Sequence, residues 1–264
     1  MFGLNFGATS SSAGGGGGDP DAAAYIAAAG ITDAAEQAAV NQLVLDLKGT
    51  GSTTNNTDVW SDSYTFYPLS PTSLAAAAYN LKDPTLNITW YNSPTHAITG
   101  VSGNGTTMYG NTNWNPTTEN VDTNNSGLTY SGDYSAADYP MGVVESGKYL
   151  ALRNNAGFRL GYTGALASAV SYTSAGRVTT SSRTAEYTHK IYKDGVFAAS
   201  DLLTSSGGSA AANTPMFILA ISANGTLTAP FNGEIDFAAA HKGLSDNQAQ
   251  DLYDAITTYN TAVR

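Results

Sequence analysis

Glu234-Ile235-Asp236-Phe237 is the segment whose residue types come nearest to acid–base chemistry. Retaining hydrolysis of a glycoside needs two carboxyls held ~5–5.5 Å apart, one as nucleophile and one as acid/base. Beyond Asp236 stand Phe237, Ala238, Ala239 and Ala240, so the strand supplies no further carboxylate. The expectation is therefore a structural strand, with Ile235 and Phe237 inward, two solvated carboxylates outward, and no enzymatic activity. His96, His189 and His241 are far apart, without HxH or HExxH spacing. A zinc site would need two or three of them to converge with carboxylates; His189 is instead expected to face the interior or a concave surface with a backbone partner. There is no cysteine, which removes thiolate catalysis, disulfides and Cys-based metal sites together.

The polar stretch 103–139 carries Tyr109, Trp114, Tyr130, Tyr134 and Tyr139 among many Asn and Thr residues. Aromatic faces beside amides suit sugar rings, which present apolar C–H faces and hydroxyl edges. Tyr109, Trp114 and Tyr130 are thus the candidate glycan contacts. The competing reading, preferred on the sequence, is that these aromatics pin long loops to a core or fill a subunit interface. Asn120, Asp122, Asn124, Asn125, Asp133 and Asp138 could supply oxygen ligands to Ca2+. Their spacing is not that of an EF-hand and Asn/Asp is abundant in every loop, so no catalytic, cofactor or metal residue is assigned.

Charged residues make up only 12% of the 264, and the net charge is −10. That charged share is about half the usual one. The few cations are scattered, which argues against a nucleic-acid partner. No run approaches the ~20 apolar residues of a membrane span. The opening MFGLNFGATSSSAGGGGG lacks the basic and apolar regions of a signal peptide. An exported type of composition without an export signal fits release by cell lysis.

Three zones follow from patterning. Residues 1–18 are a Gly/Ser arm; it reads as a flexible linker, or as an arm clamped in an assembly, since ordered glycines need a surface to hold them. Residues 19–50 read as two helices. Asp19-Pro20 starts the first and Gly30 ends it. Asp33 with Glu36 forms a capping box for the second, whose apolar stripe is Val40, Leu43, Val44 and Leu47. Residues 51–264 read as a β-sandwich of short strands separated by turn clusters. Ala185 to Tyr192 alternates as one strand and enters an Asp194-Gly195 type I′ hairpin. Pro215 to Ile221 suits a buried strand, Asn224-Gly225 turns the chain, and Phe231 to Phe237 is another strand. Ser245 and Gln248 cap a closing helix over 245–260, with Leu244 as a hydrophobic staple and Ala249, Leu252, Tyr253 and Ile256 buried.

HKIYKDGVFAAS (189–200) and FNGEIDFAAAHKGLSDNQAQDLYDAI (231–256) resemble the hairpin and the ending of the concanavalin A-like/laminin-G jelly-roll superfamily. That resemblance implies a mainly β jelly-roll sandwich with N-terminal helices and a C-terminal closing helix. Within it, the E-x-D segment resembles the active strand of family 16 glycoside hydrolases without its second glutamate. A narrower resemblance, carried by residues 19–48, 66–84, 95–116 and 182–196, is to a group of uncharacterised phage-associated proteins; the chain departs from them in a polar insertion at 117–139. It implies a virion-surface fibre, spike or decoration protein, extracellular after lysis. Residues 1–48 would meet other virion proteins, and a homo-oligomer, guessed to be a trimer, is expected. The second reading is a carbohydrate-binding module for host attachment or bacterial surface adhesion.

Overall fold

The computed structural model describes residues 18–132, 138–155, 158–165, 169–173, 177–202 and 211–264. The elements are, first, the helices α1 (Pro20–Ala29) and α2 (Ala34–Leu47). The strands β1 (Ser63–Pro68), β2 (Thr89–Tyr91), β3 (Thr95–Ala97), β4 (Gly100–Ser102), β5 (Tyr109–Asn111) and β6 (Ser126–Gly132) follow. Next come β7 (Asp138–Glu145), β8 (Lys148–Asn155), β9 (Phe158–Ala165), β10 (Ala169–Thr173), β11 (Val178–Ala185) and β12 (Thr188–Lys193). The chain ends with β13 (Val196–Leu202), β14 (Phe217–Ile218), β15 (Ile221–Ala223), β16 (Thr226–Thr228), β17 (Glu234–His241) and the helix α3 (Asp246–Val263).

These strands form two sheets. The first is ordered β13-β12-β11-β6-β17-β4-β3, with β1 also pairing with β17. The second is ordered β10-β9-β8-β7-β14-β5-β2, with β15 beside β7 and β16 beside β15. The fold is therefore mainly β, a two-sheet sandwich with helices at both ends of the sequence, as expected. Among the described residues no helix is long and apolar enough to cross a membrane.

Two cores meet at β17. Ile235, Ala238 and Ala240 join Tyr67, Leu128 and Ile218 between the sheets. Phe237 and Ala239 point the other way, into a core made with Val40, Leu43, Val44, Leu252 and Ile256 of α2 and α3. The helices thus lie over the outer face of the first sheet, and a strand covered on both faces has no solvated side. That corrects the expectation of outward carboxylates: the register against β6 shifts between Ile235 and Phe237, and Asp236 is fully buried. Phe237 accordingly faces the helices, not the space between the sheets.

Local chemistry explains the helix boundaries. The Asp19 carboxylate accepts from the Asp21 amide at 2.9 Å, Pro20 occupies the first turn, and Gly30 takes the left-handed conformation at φ 67°. Asp33 accepts from the Glu36 amide at 2.9 Å. The reciprocal half of that box is absent, because the buried Glu36 carboxylate accepts from the Thr72 amide instead. Both halves form at α3, where Gln248 donates to the Ser245 hydroxyl and the Ser245 amide donates to Gln248 Oε1. Leu244 is buried, as are Ala249, Leu252 and Ile256, while Tyr253 is half-buried.

Asp194 and Gly195, at φ 47° and 77°, join β12 to β13 through a two-residue turn, the type I′ geometry. The alternating run before it is not one strand. Glu186 and Tyr187 form a second tight turn, with Ala185 paired to Thr188; the Arg183 guanidinium donates to the carbonyls of Ala185 and Glu186 and fixes that turn. Similarly, the 215–221 run divides at Leu219, whose φ of 64° separates β14 from β15.

Candidate functional site

Strands β2 and β5 pair Tyr91 with Tyr109 and Thr89 with Asn111 at one end of the second sheet. Side chains alternate along a strand, so Trp90 packs on the core between the sheets while Tyr91 and Tyr109 stand on the outer face. Their rings stack at 4.6 Å with 2° between planes, and Tyr109 meets Phe217 of β14 at 4.7 Å. Phe217 is buried, Tyr109 half-buried and Tyr91 40% exposed, so the three rings form a ladder whose free end is Tyr91. Polar side chains border it: Asn113 donates to the Asn87 carbonyl and to the Thr89 hydroxyl, and Asn92 donates to the Thr107 carbonyl.

Of the three residues singled out as glycan contacts, only Tyr109 lies on this platform. Trp114 is 1% exposed and Tyr130 0%. Both sit in the core between the sheets, Trp114 against the Tyr64 ring at 5.7 Å. Trp114 pins its loop to the sandwich, the reading preferred on the sequence, and Tyr130 is a core residue of β6, because large apolar rings recover more free energy by leaving water than by facing it. Tyr139 packs under the Arg153 guanidinium, and Tyr134 lies outside the described residues. Sequence reasoning missed Tyr91; the available signal was the Thr-Trp-Tyr alternation of a short half-buried strand.

The Glu234/Asp236 pair is occupied in a different way. Asp236 Oδ2 accepts from Arg177 and, at 2.8 Å, from Arg264; Oδ1 accepts from Asn260 at 3.0 Å. Glu234 accepts from the Thr99 hydroxyl at 2.8 Å. One carboxylate is sealed and the other tied down.

The three histidines stand in separate surroundings, on β3, β12 and β17. His189 is buried, in keeping with the interior placement expected of it, with Nε2 2.7 Å from the Ser181 hydroxyl. His96 lies on β3 with Nε2 buried and unpartnered. His241 Nδ1 lies 2.6 Å from the Lys242 carbonyl, and Nε2 3.0 Å from the Thr129 hydroxyl. Burial pushes the His241 pKa down to about 4. An unfolded chain protonates this residue near pH 6.5 and the folded one only near 4, so stability is expected to fall as pH drops through that window. The loss is on the order of 3 kcal/mol. Urea titrations at stepped pH should show it, and a His241→Gln variant should have the flatter slope; equal slopes would refute it.

Among the described residues, no group of three or more His, Asp or Glu side chains gathers for a metal. Of the proposed calcium ligands, Asp122 accepts from the Asn124 amide and Asn125 from the Gly243 amide. The Asp133 and Asp138 side chains lie outside the described set.

No protein-family model matches the chain, and no curated relative matches it. In fold it is similar to a Trypanosoma rangeli sialidase in complex with sialic acid, at 10% identity and a TM-score of 0.53, covering 82% of this chain and 38% of the sialidase. It is also similar to the binding domain of Botulinum neurotoxin DC in complex with rat synaptotagmin II, at 8% identity and a TM-score of 0.52, covering 74% of this chain and 52% of that one. The chain thus spans about two fifths to half of their length. At these identities the likeness is one of fold, a β-sandwich.

Proposed function

We propose that this chain is a non-catalytic virion-surface protein that displays a recognition sandwich. The observation that carries the reading is the inequality of its faces. One sheet is roofed by α1, α2 and α3, while the outer face of the other carries the Tyr91–Tyr109 stack at its free end. In this reading residues 1–48 attach the protein to other virion components, and the stacked tyrosines meet a host-surface glycan. The low charge, the Gly/Ser arm and the resemblance to phage-associated proteins support the setting. A non-catalytic role is supported by Asp236, which is buried and spent on two arginines, since a nucleophile or acid must reach its substrate.

Attachment is tested by deleting residues 1–18, which should abolish incorporation into particles; normal incorporation would sink it. Light scattering tests the guessed trimer. Recognition is tested on a glycan array: Tyr91→Ala and Tyr109→Ala should each lower binding about 5–30-fold, given about 1–2 kcal/mol for a stacked ring, with only a small drop in melting temperature for Tyr91→Ala, whose ring is 40% exposed. An array blank for the parent chain would remove the glycan.

A further inference from the structure

A cleft of about 340 Å3 opens between α3 and the adjoining ends of β6 and β11. Tyr253, Thr257 and Arg264 line it from one face of α3, four and seven residues apart; Ser131 and Arg177 line it from the sheet. Three of the residues that line it, Arg177, Arg264 and Asn260, are held in place by the Asp236 carboxylate. Ser131 is fully buried, and its hydroxyl has no hydrogen-bond partner. A buried unpaired hydroxyl costs roughly 1–3 kcal/mol, and a polar group filling the cleft would satisfy it.

Charge selects the ligand class. Arg177 and Arg264 are matched by Asp236 and Glu234, and Asp194, also lining the cleft, adds a further negative charge. Two positive charges against three negative leave no surplus for an anion, and the carboxylates are taken up by arginines or by the Val178 amide, which donates to Asp194 at 2.9 Å. The remaining groups are hydroxyls, an amide and the tyrosine ring. We propose that this cleft binds one residue of a neutral sugar, with the ring against Tyr253 and hydroxyls bonded to Ser131, Thr257 and the guanidinium edges. The volume lies at the small end of organic-ligand pockets. This deepens the recognition reading, on which its ligand class rests, and places a second contact far in sequence from Tyr91 and Tyr109.

The test is NMR titration of the full chain with methyl glycosides of glucose, galactose, mannose and N-acetylglucosamine, alongside sulfate and glucuronate as charged probes. A neutral glycoside should shift Tyr253 and Thr257 with a dissociation constant on the order of 1 mM, as befits about a dozen heavy atoms. Ser131→Ala should weaken it about tenfold while leaving the melting temperature unchanged or raised, because the deleted hydroxyl bonds nothing in the fold; Tyr91→Ala should leave it intact. Preference for sulfate or glucuronate would overturn the neutral class. Binding lost only in the Tyr91 and Tyr109 variants would overturn the cleft and leave the platform standing. No shift with any glycoside would overturn the cleft, and a blank array as well would remove both.

Discussion

Asp236→Ala is expected to destabilise the protein by about 3 kcal/mol. The carboxylate has 0% side-chain exposure and is the common acceptor for Arg177, Arg264 and Asn260. Breaking a fully buried ion pair costs about 3–5 kcal/mol, mostly through the charge left behind. Here the arginine side chains are 43% and 29% exposed, so water takes up part of that charge and the value belongs at the lower end. For a domain of this size the melting temperature should drop by about 6–12 °C. Asp236→Asn keeps an acceptor oxygen without the charge and should lie between parent and alanine variant. Hydrogen exchange should show the last turn of α3 opening first, because Arg264 and Asn260 tie it to β17. A loss below 1 kcal/mol in urea would mean that the cluster is not a structural anchor.

Trp114→Ala is expected to cost about 3–5 kcal/mol, the usual range for deleting a buried aromatic. The sequence offered Trp114 as a glycan contact, so this substitution separates the two roles. Its ring is 1% exposed among Tyr64, Ile88 and Met216, and its indole Nε1 has no partner. Trp114→Phe should therefore cost less than half as much, since it retains most of the packing and removes an unpaired donor. Glycan binding should survive in the phenylalanine variant. Lost binding with unchanged stability would return Trp114 to a recognition role.

Much of the fold was legible because its signals are local. Asp19-Pro20, Ser245 with Gln248, and Asp194-Gly195 each specify backbone geometry within a few residues, and each forms as read. Where reading failed, the deciding contact was distant. The 185–192 alternation looks continuous, yet Arg183 binds two carbonyls and turns the chain. Asp236 looks solvated until α3 is laid over it, twenty-four residues on at Asn260. Tyr109 was legible as an aromatic in a polar stretch, but its partner Tyr91 is chosen by strand pairing across the intervening β3–β4 hairpin of the other sheet. Nothing in the spacing of Arg177 and Arg264 connects them; a shared buried carboxylate does. Binary pattern distinguishes inside from outside for one core, and a strand serving two cores defeats it.

Strand β17 has a consequence for how the protein is made. It pairs with β1, β4 and β6, all from the first half of the chain. At about 5–20 residues per second a ribosome needs roughly 10–35 s to travel from β1 to the end of β17. Throughout that interval Phe66 and Tyr67, and for its later part Leu128 and Tyr130, all buried in the finished fold, lack the strand that completes their sheet. Non-local pairing of this kind also slows folding itself. Nascent chains should therefore depend on a holdase, and yield in cells should respond more to chaperone supply and translation speed than the stability of the finished protein would suggest.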